Sequence, residues 1–152
     1  MSRRAGFTLL ELTLVLMIMA IAIALVGPAI EGGFDSREVR RAARQIASTM
    51  HHLRGEAVAT GHPTAMRIDQ HENTIETVGG GRWAVLTDRA VIEAVSGAIR
   101  VGDEVWDIRF YPNGANTGAQ VVLANSRDRT RNRLLVTLDP LLGTITVGDA
   151  PL

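Results

Sequence analysis

Few residues in this sequence are placed to do chemistry, and the most conspicuous is a carboxylate in an apolar setting. Glu11 is the only charge in the 24 positions from Phe7 to Ile30. A charge there costs about 2.5–3.5 kcal/mol on insertion scales, and an intramembrane charge is by default a functional residue with a partner. The second concentration is cationic: Arg127, Arg129, Arg131 and Arg133 alternate in a stretch of turn residues, diluted by Asp128. Such a loop could hold phosphates through a salt-sensitive contact, although four arginines in a hairpin are also an ordinary solvated surface. The remaining groups are weaker. His51 and His52 are adjacent, which on a helix sets them about 100° apart, and His62 and His71 stand alone. Asp103, Glu104 and Asp107 lack the spacing of a calcium loop and read as solvated carboxylates of a turn. Gly79-Gly80-Gly81-Arg82 lacks the lysine and the following helix of a phosphate loop and reads as a hairpin loop. With no cysteine there is neither a disulfide framework nor a thiolate metal site. No nucleophile elbow, triad order or paired carboxylate motif is present, so the sequence calls for no catalysis, no metal and no cofactor.

The element that must position Glu11 is a helix. Twenty-four helical residues span roughly 36 Å, enough to cross a hydrocarbon core of about 30 Å. Arg3 and Arg4 precede the run, and the positive-inside bias places the N-terminus in the cytoplasm and the remainder across the membrane. A cleavable secretory signal would need small residues at a site beyond the apolar run; Gly27-Pro28-Ala29-Ile30-Glu31-Gly32 offers a poor one, and a disposable signal has no use for Glu11. Pro28 removes a helical hydrogen bond, so a kink or local unwinding is expected at Gly27-Pro28. Beyond it Val39, Ala43, Ile46, Met50, Leu53 and Ala57 step by four and three residues, one apolar stripe of an amphipathic helix. Ser36 is a candidate cap should the helix restart there, and Gly61-His62-Pro63 ends it.

After Pro63 the period falls to two. Strands are expected over 64–69, 74–78, 83–87, 90–95, 98–101, 105–111, 119–124, 134–138 and 144–147, punctuated by Gln70-His71-Glu72-Asn73, Pro112-Asn113-Gly114 and Asp139-Pro140. No further helix alternates with them, which points to an antiparallel sandwich or meander. The fold class is therefore α+β, a long N-terminal helix packed on an antiparallel β-sandwich or meander. The chain of 152 residues carries 16 arginines and no lysine against 16 acids; without Arg3 and Arg4, 14 basic residues face 16 acidic ones. A general polyanion binder is not expected, and six aromatics make no base-stacking platform.

Arg4-Ala5-Gly6-Phe7-Thr8-Leu9-Leu10-Glu11 resembles the prepilin signal of type IV pilins and type II secretion pseudopilins. Phe110-Tyr111-Pro112-Asn113-Gly114, followed by Val121-Val122-Leu123, Leu134-Leu135-Val136-Thr137 and Gly143-Thr144-Ile145-Thr146-Val147, is similar to the C-terminal pattern of H-type minor pseudopilins and the related FimT-type minor pilins, with its motif shifted by Tyr111. The resemblance touches both ends of the chain; residues 64–104 are unmatched. It implies a leader over 1–6, cut between Gly6 and Phe7 by a prepilin peptidase, and N-methylation of Phe7. It implies a transmembrane or filament-core helix over 7–30, an amphipathic continuation over 31–61 and a β-rich periplasmic domain over 62–152. Glu11 would pair with the α-amine of a neighbour's Phe7 and set the register of assembly, the alternative being an acid held at the helix start by the dipole. The implied function is that of a minor pseudopilin in the bacterial inner membrane, aiding export of folded proteins across the outer membrane. Its partners would be other minor pseudopilins, the major pseudopilin and the peptidase, with secreted substrates as a further option and nucleic acid not expected. The rival is a FimT-like minor pilin of a type IV pilus that binds DNA through Arg127, Arg129, Arg131 and Arg133.

Overall fold

The computed structural model describes the backbone of residues 8–79, 83–86, 88–130 and 132–151, and the side chains of these except 25–35 and 83–85. The first element is the helix α1, Leu9–Thr60. Its helical assignment runs without a break through Gly27-Pro28 and Ser36, so the helix neither unwinds nor restarts at those points. The chain divides into two compact units, Met1–Phe34 and Asp35–Leu152.

Within the second unit every residue of the expected stripe is fully buried: Val39, Ala43, Ile46, Met50, Leu53 and Ala57, joined by Ala42. Positions three and four apart share a helix face, which is why this spacing yields one continuous buried row. The helix stops where the sequence predicts. Gly61 adopts φ +72° and its N–H donates to the Ala57 carbonyl at 3.1 Å, a left-handed cap that glycine takes without steric penalty. Thr64 then donates its hydroxyl back to the Leu53 carbonyl at 2.8 Å, fixing the first strand to the last turns of the helix.

Among the described residues nine strands follow: β1 Thr64–Asp69, β2 Thr74–Val78, β3 Trp83–Val85, β4 Ala90–Ser96, β5 Ile99–Gly102, β6 Val105–Phe110, β7 Ala119–Asn125, β8 Leu134–Leu138 and β9 Ile145–Asp149. They match the nine expected segments, and residues 70–104 carry β2 to β5; Thr87, expected in the third, lies outside the described residues. They form two antiparallel sheets, ordered β3-β2-β1-β6-β5 and β4-β7-β8-β9. Local turn chemistry accounts for the hairpins. The links from β3 to β4, β4 to β5 and β6 to β7 change sheets, and that choice is made by packing. Burial alternates along β8 and along much of β7, as a half-buried strand requires. One apolar cluster unites α1 with both sheets, including Met66, Ile68, Ile108, Phe110, Val121, Leu123, Val136 and Leu138.

Asn73 joins the two sheets. It sits at φ +54°, a conformation that asparagine tolerates better than most residues. Its side-chain N–H donates to the Ala90 carbonyl at 2.8 Å, and its side-chain oxygen accepts from the Ile92 N–H at 3.0 Å.

Candidate functional sites at the helix start and in the arginine loop

The first described turn of α1 is built on Thr8. Its hydroxyl accepts the Glu11 N–H at 3.2 Å and its carbonyl accepts the Leu12 N–H at 3.1 Å. These bonds satisfy donors that a helix start leaves without intrahelical partners. Thr8-x-x-Glu11 also fits the pattern of a capping box, a signal in the sequence that the reading of Glu11 as a bare charge passes over. Thr8 is thus a positioning residue: it orients the turn that carries Glu11. Among the described residues the Glu11 carboxylate has no partner, and its surroundings are apolar. Leu9 is 82% exposed, and Leu10, Leu12, Leu14, Val15, Leu16, Met17, Ile18, Met19, Ile21 and Ile23 are all exposed as well. Side chains are described only up to Ala24 in this part of α1, short of the roughly 20 apolar residues a span needs. Among the described residues no helix is long and apolar enough to cross a membrane. Gly6 and Phe7 lie outside the described residues.

The arginine loop joins β7 to β8 and is shaped by its own polar side chains. Asn125 accepts the Arg127 N–H at 2.7 Å. Asp128 accepts both the N–H and the hydroxyl of Thr130, at 3.1 and 2.6 Å, and Asn132 takes φ +57°. Arg127 and Arg129 are exposed; Arg131 lies outside the described residues. Arg133 is different. It donates to Glu93 at 2.8 Å from β4 and to the Pro151 carbonyl at 3.2 Å, so it braces the end of the chain against the far edge of its sheet. The structure therefore separates a structural arginine from a set that the sequence presents as equivalent.

Asp107 departs from its expected place in a solvated acidic turn. Asp103 and Glu104 are solvated, Asp103 fully so, but Asp107 is only 4% exposed and lies opposite Arg67 in the β1–β6 register. Arg67 donates to both its oxygens, at 2.8 and 3.1 Å, the bidentate geometry that guanidinium and carboxylate share. This hydrogen bond, then the charge of Asp107, raises the Arg67 pKa above its ordinary value. Period-two counting places Arg67 and Asp107 on strands but says nothing of their pairing. All four histidines are exposed; His52 stands 3.8 Å from Glu56 and His71 3.8 Å from Glu104. Among the described residues no three histidines or acids are grouped to hold a metal.

The remaining sequence landmark, Phe110–Gly114, forms a tight turn. Gly114 donates to the Tyr111 carbonyl at 2.9 Å and takes φ +83°, and Asn113 accepts the Ala115 N–H at 3.1 Å. Pro112 at the second position supplies the φ this turn needs.

The chain matches the family model described as Type II transport protein GspH over residues 42–141, and the model described as Prokaryotic N-terminal methylation motif over residues 1–27. The chain belongs to the GspH family. It is 30% identical over 126 residues to the Type II secretion system protein H of Xanthomonas campestris pv. campestris, covering 83% of this chain and 75% of that protein. It is 33% identical over 95 residues to the protein of the same name from Aeromonas hydrophila, covering 61% of this chain and 52% of that protein. The fold of this GspH-family chain is similar to the minor pseudopilin EpsH from the Type 2 Secretion System of Vibrio cholerae, with a TM-score of 0.59 and 13% identity over 74% of this chain and 97% of that one. It is nearly as similar to the type IV minor pilin FimU of Pseudomonas aeruginosa, with a TM-score of 0.58 and 12% identity over 74% and 89%. The family match lies on the second half of α1 and on β1 to β8. The methylation motif spans residues 1–27, which include Gly6, Phe7, Thr8, Glu11 and most of the apolar run.

Proposed function

We propose that this GspH-type chain is cut between Gly6 and Phe7, methylated at Phe7, and held in the inner membrane by residues 7–30 until it enters a short periplasmic filament that aids protein export. The observation that carries this reading is the described helix start: a threonine-capped turn presents one carboxylate without a partner at the head of a long, exposed apolar row. Exposed apolar patches of this extent call for a lipid or protein cover. The stretch to Ile30 supplies the length that the described residues alone do not. Both Thr8 and Glu11 follow the cleavage position, so the cap would stay with the mature chain. A free α-amine at Phe7 on a neighbouring subunit is the cation such a carboxylate would meet, and leaving either group alone in low dielectric would be strongly penalised.

The chain's role in this reading is assembly and protein contact rather than catalysis, and its partners are the major pseudopilin, other minor pseudopilins and the prepilin peptidase. Nucleic-acid binding draws less support. Arg133 is occupied by Glu93 and Pro151, and the loop's Asp128 offsets part of the remaining charge.

The test is Glu11→Gln, which keeps the length and polarity of the side chain and removes the charge. Membrane insertion is expected to be unchanged, and incorporation into filaments, read by co-purification with the major pseudopilin, is expected to fall at least about tenfold, the equivalent of roughly 1.4 kcal/mol. Incorporation at the level of the unaltered protein contradicts the pairing role.

A further inference from the structure

The last strand has an open edge. Among the described residues β9 ends its sheet and pairs only with β8, in the register Leu134↔Asp149 to Leu138↔Ile145. The bonds at either end fix which backbone groups are used. The Asp139 N–H donates to the Thr144 carbonyl at 3.0 Å, and the Ala150 N–H donates to the Arg133 carbonyl at 3.1 Å. Hydrogen-bonded and non-bonded pairs alternate in an antiparallel ladder, so Thr144, Thr146, Gly148 and Ala150 bond inward to β8. Ile145, Val147 and Asp149 therefore turn their N–H and C=O groups outward, a row that a further strand would complete.

Beside this edge runs a groove of about 310 Å³ lined by Arg40, Arg44, Leu134, Val147, Gly148 and Asp149. Arg40 and Arg44 are four residues apart and so share one face of α1. Both are exposed, and among the described residues neither has an ion-pair partner. Val147 is 43% exposed. An unfilled hydrogen-bonding ladder thus lies beside a groove lined by two cations, one carboxylate and the apolar side chains of Leu134 and Val147. Its volume suits a few side chains of an extended segment and excludes a folded domain.

We propose that β9 receives an extended acidic segment of another protein, which pairs with the backbone of Ile145, Val147 and Asp149 and sets its carboxylates against Arg40 and Arg44. Main-chain pairing supplies affinity in this mode of recognition and the flanking side chains supply selectivity. A second copy of the same edge fits less well, because edge-to-edge pairing of two β9 strands would bring two sets of Arg40 and Arg44 to one seam. The inference stands apart from the Glu11 pairing, since it rests on the second unit alone.

The full chain in detergent micelles can be titrated against a fluorescein-labelled decapeptide of alternating valine and aspartate, with a valine–lysine decapeptide as control, and followed by anisotropy. The acidic peptide is expected to bind with a dissociation constant below about 1 mM, and the basic one not to saturate. Arg40→Glu with Arg44→Glu is expected to weaken binding about tenfold, as for close charge pairs at an interface. Val147→Pro removes one outward donor at an edge position where proline is tolerated. It is expected to abolish binding while thermal unfolding remains cooperative. If Val147→Pro unfolds the protein, the double arginine variant decides alone. Equal binding of both peptides, binding indifferent to the arginines, no saturation by the acidic peptide, or self-association that displaces it overturns the proposal.

Discussion

Asp107 shows how one residue can change its meaning between sequence and structure. In the sequence it stands within five residues of Asp103 and Glu104 and joins them as an acidic cluster. In the fold it is buried and held by both arms of Arg67. Because Arg67 is 38% exposed, losing the pair leaves a cation that water can reach. Asp107→Ala is therefore expected to cost about 1–2 kcal/mol, below the figure for a fully buried pair, measured as a shift in the denaturation midpoint. The raised Arg67 pKa gives the pair a contribution that is complete below arginine's ordinary value and is lost only as pH rises above it. No loss from the arginine side is expected between neutral and moderately alkaline pH. Glu11 was legible because a single acid in an apolar run stands out. Thr8 was harder to see, because capping is a relation between two residues rather than a property of one. The sequence likewise could not separate Arg133 from Arg127 and Arg129, since the separation rests on Glu93, 40 residues away.

Elements were the most legible scale. The stripe from Val39 to Ala57 and the nine strands follow from periods of 3.6 and 2, and the glycine and proline stops agree with them. What the sequence withheld was sheet membership: hairpins are written in turn residues, whereas the crossings between sheets depend on which faces fill one core. Of the kink or local unwinding expected at Gly27-Pro28, unwinding does not occur: the helical assignment is continuous there. Two substitutions probe this scale. Leu53→Ala empties a fully buried position and is expected to destabilise by about 2–5 kcal/mol, as large-to-small core changes do. Gly143→Ala tests the turn between β8 and β9, where Gly143 sits at φ +65° and an added Cβ would meet the Arg54 guanidinium at 2.7 Å. Arg54 donates to the Gly143 carbonyl at 2.8 Å, so the methyl both strains the backbone and displaces that bond. A loss of about 1–2 kcal/mol is expected from the left-handed conformation alone, read by thermal or chemical denaturation.

At the scale of the molecule, two halves of the chain answer different requirements. Residues from Asp35 onward gather most of their apolar side chains around one core, with Leu141, Leu142 and Val147 among those left exposed. The described residues before Ala24 leave theirs exposed; in the proposed function lipid or other subunits cover them. Family membership was legible at both ends, from the leader pattern and from the Phe110–Gly114 turn, and the match over residues 42–141 extends it across the middle. Assembly through residues 7–30 requires that the apolar helix be kept after processing. Intact-mass analysis of the protein purified from its native membrane tests this directly. A mature chain that begins at N-methylated Phe7 and retains everything to the C-terminus is the expected result. A chain that begins at Gly32 or later, with the apolar helix discarded, contradicts it.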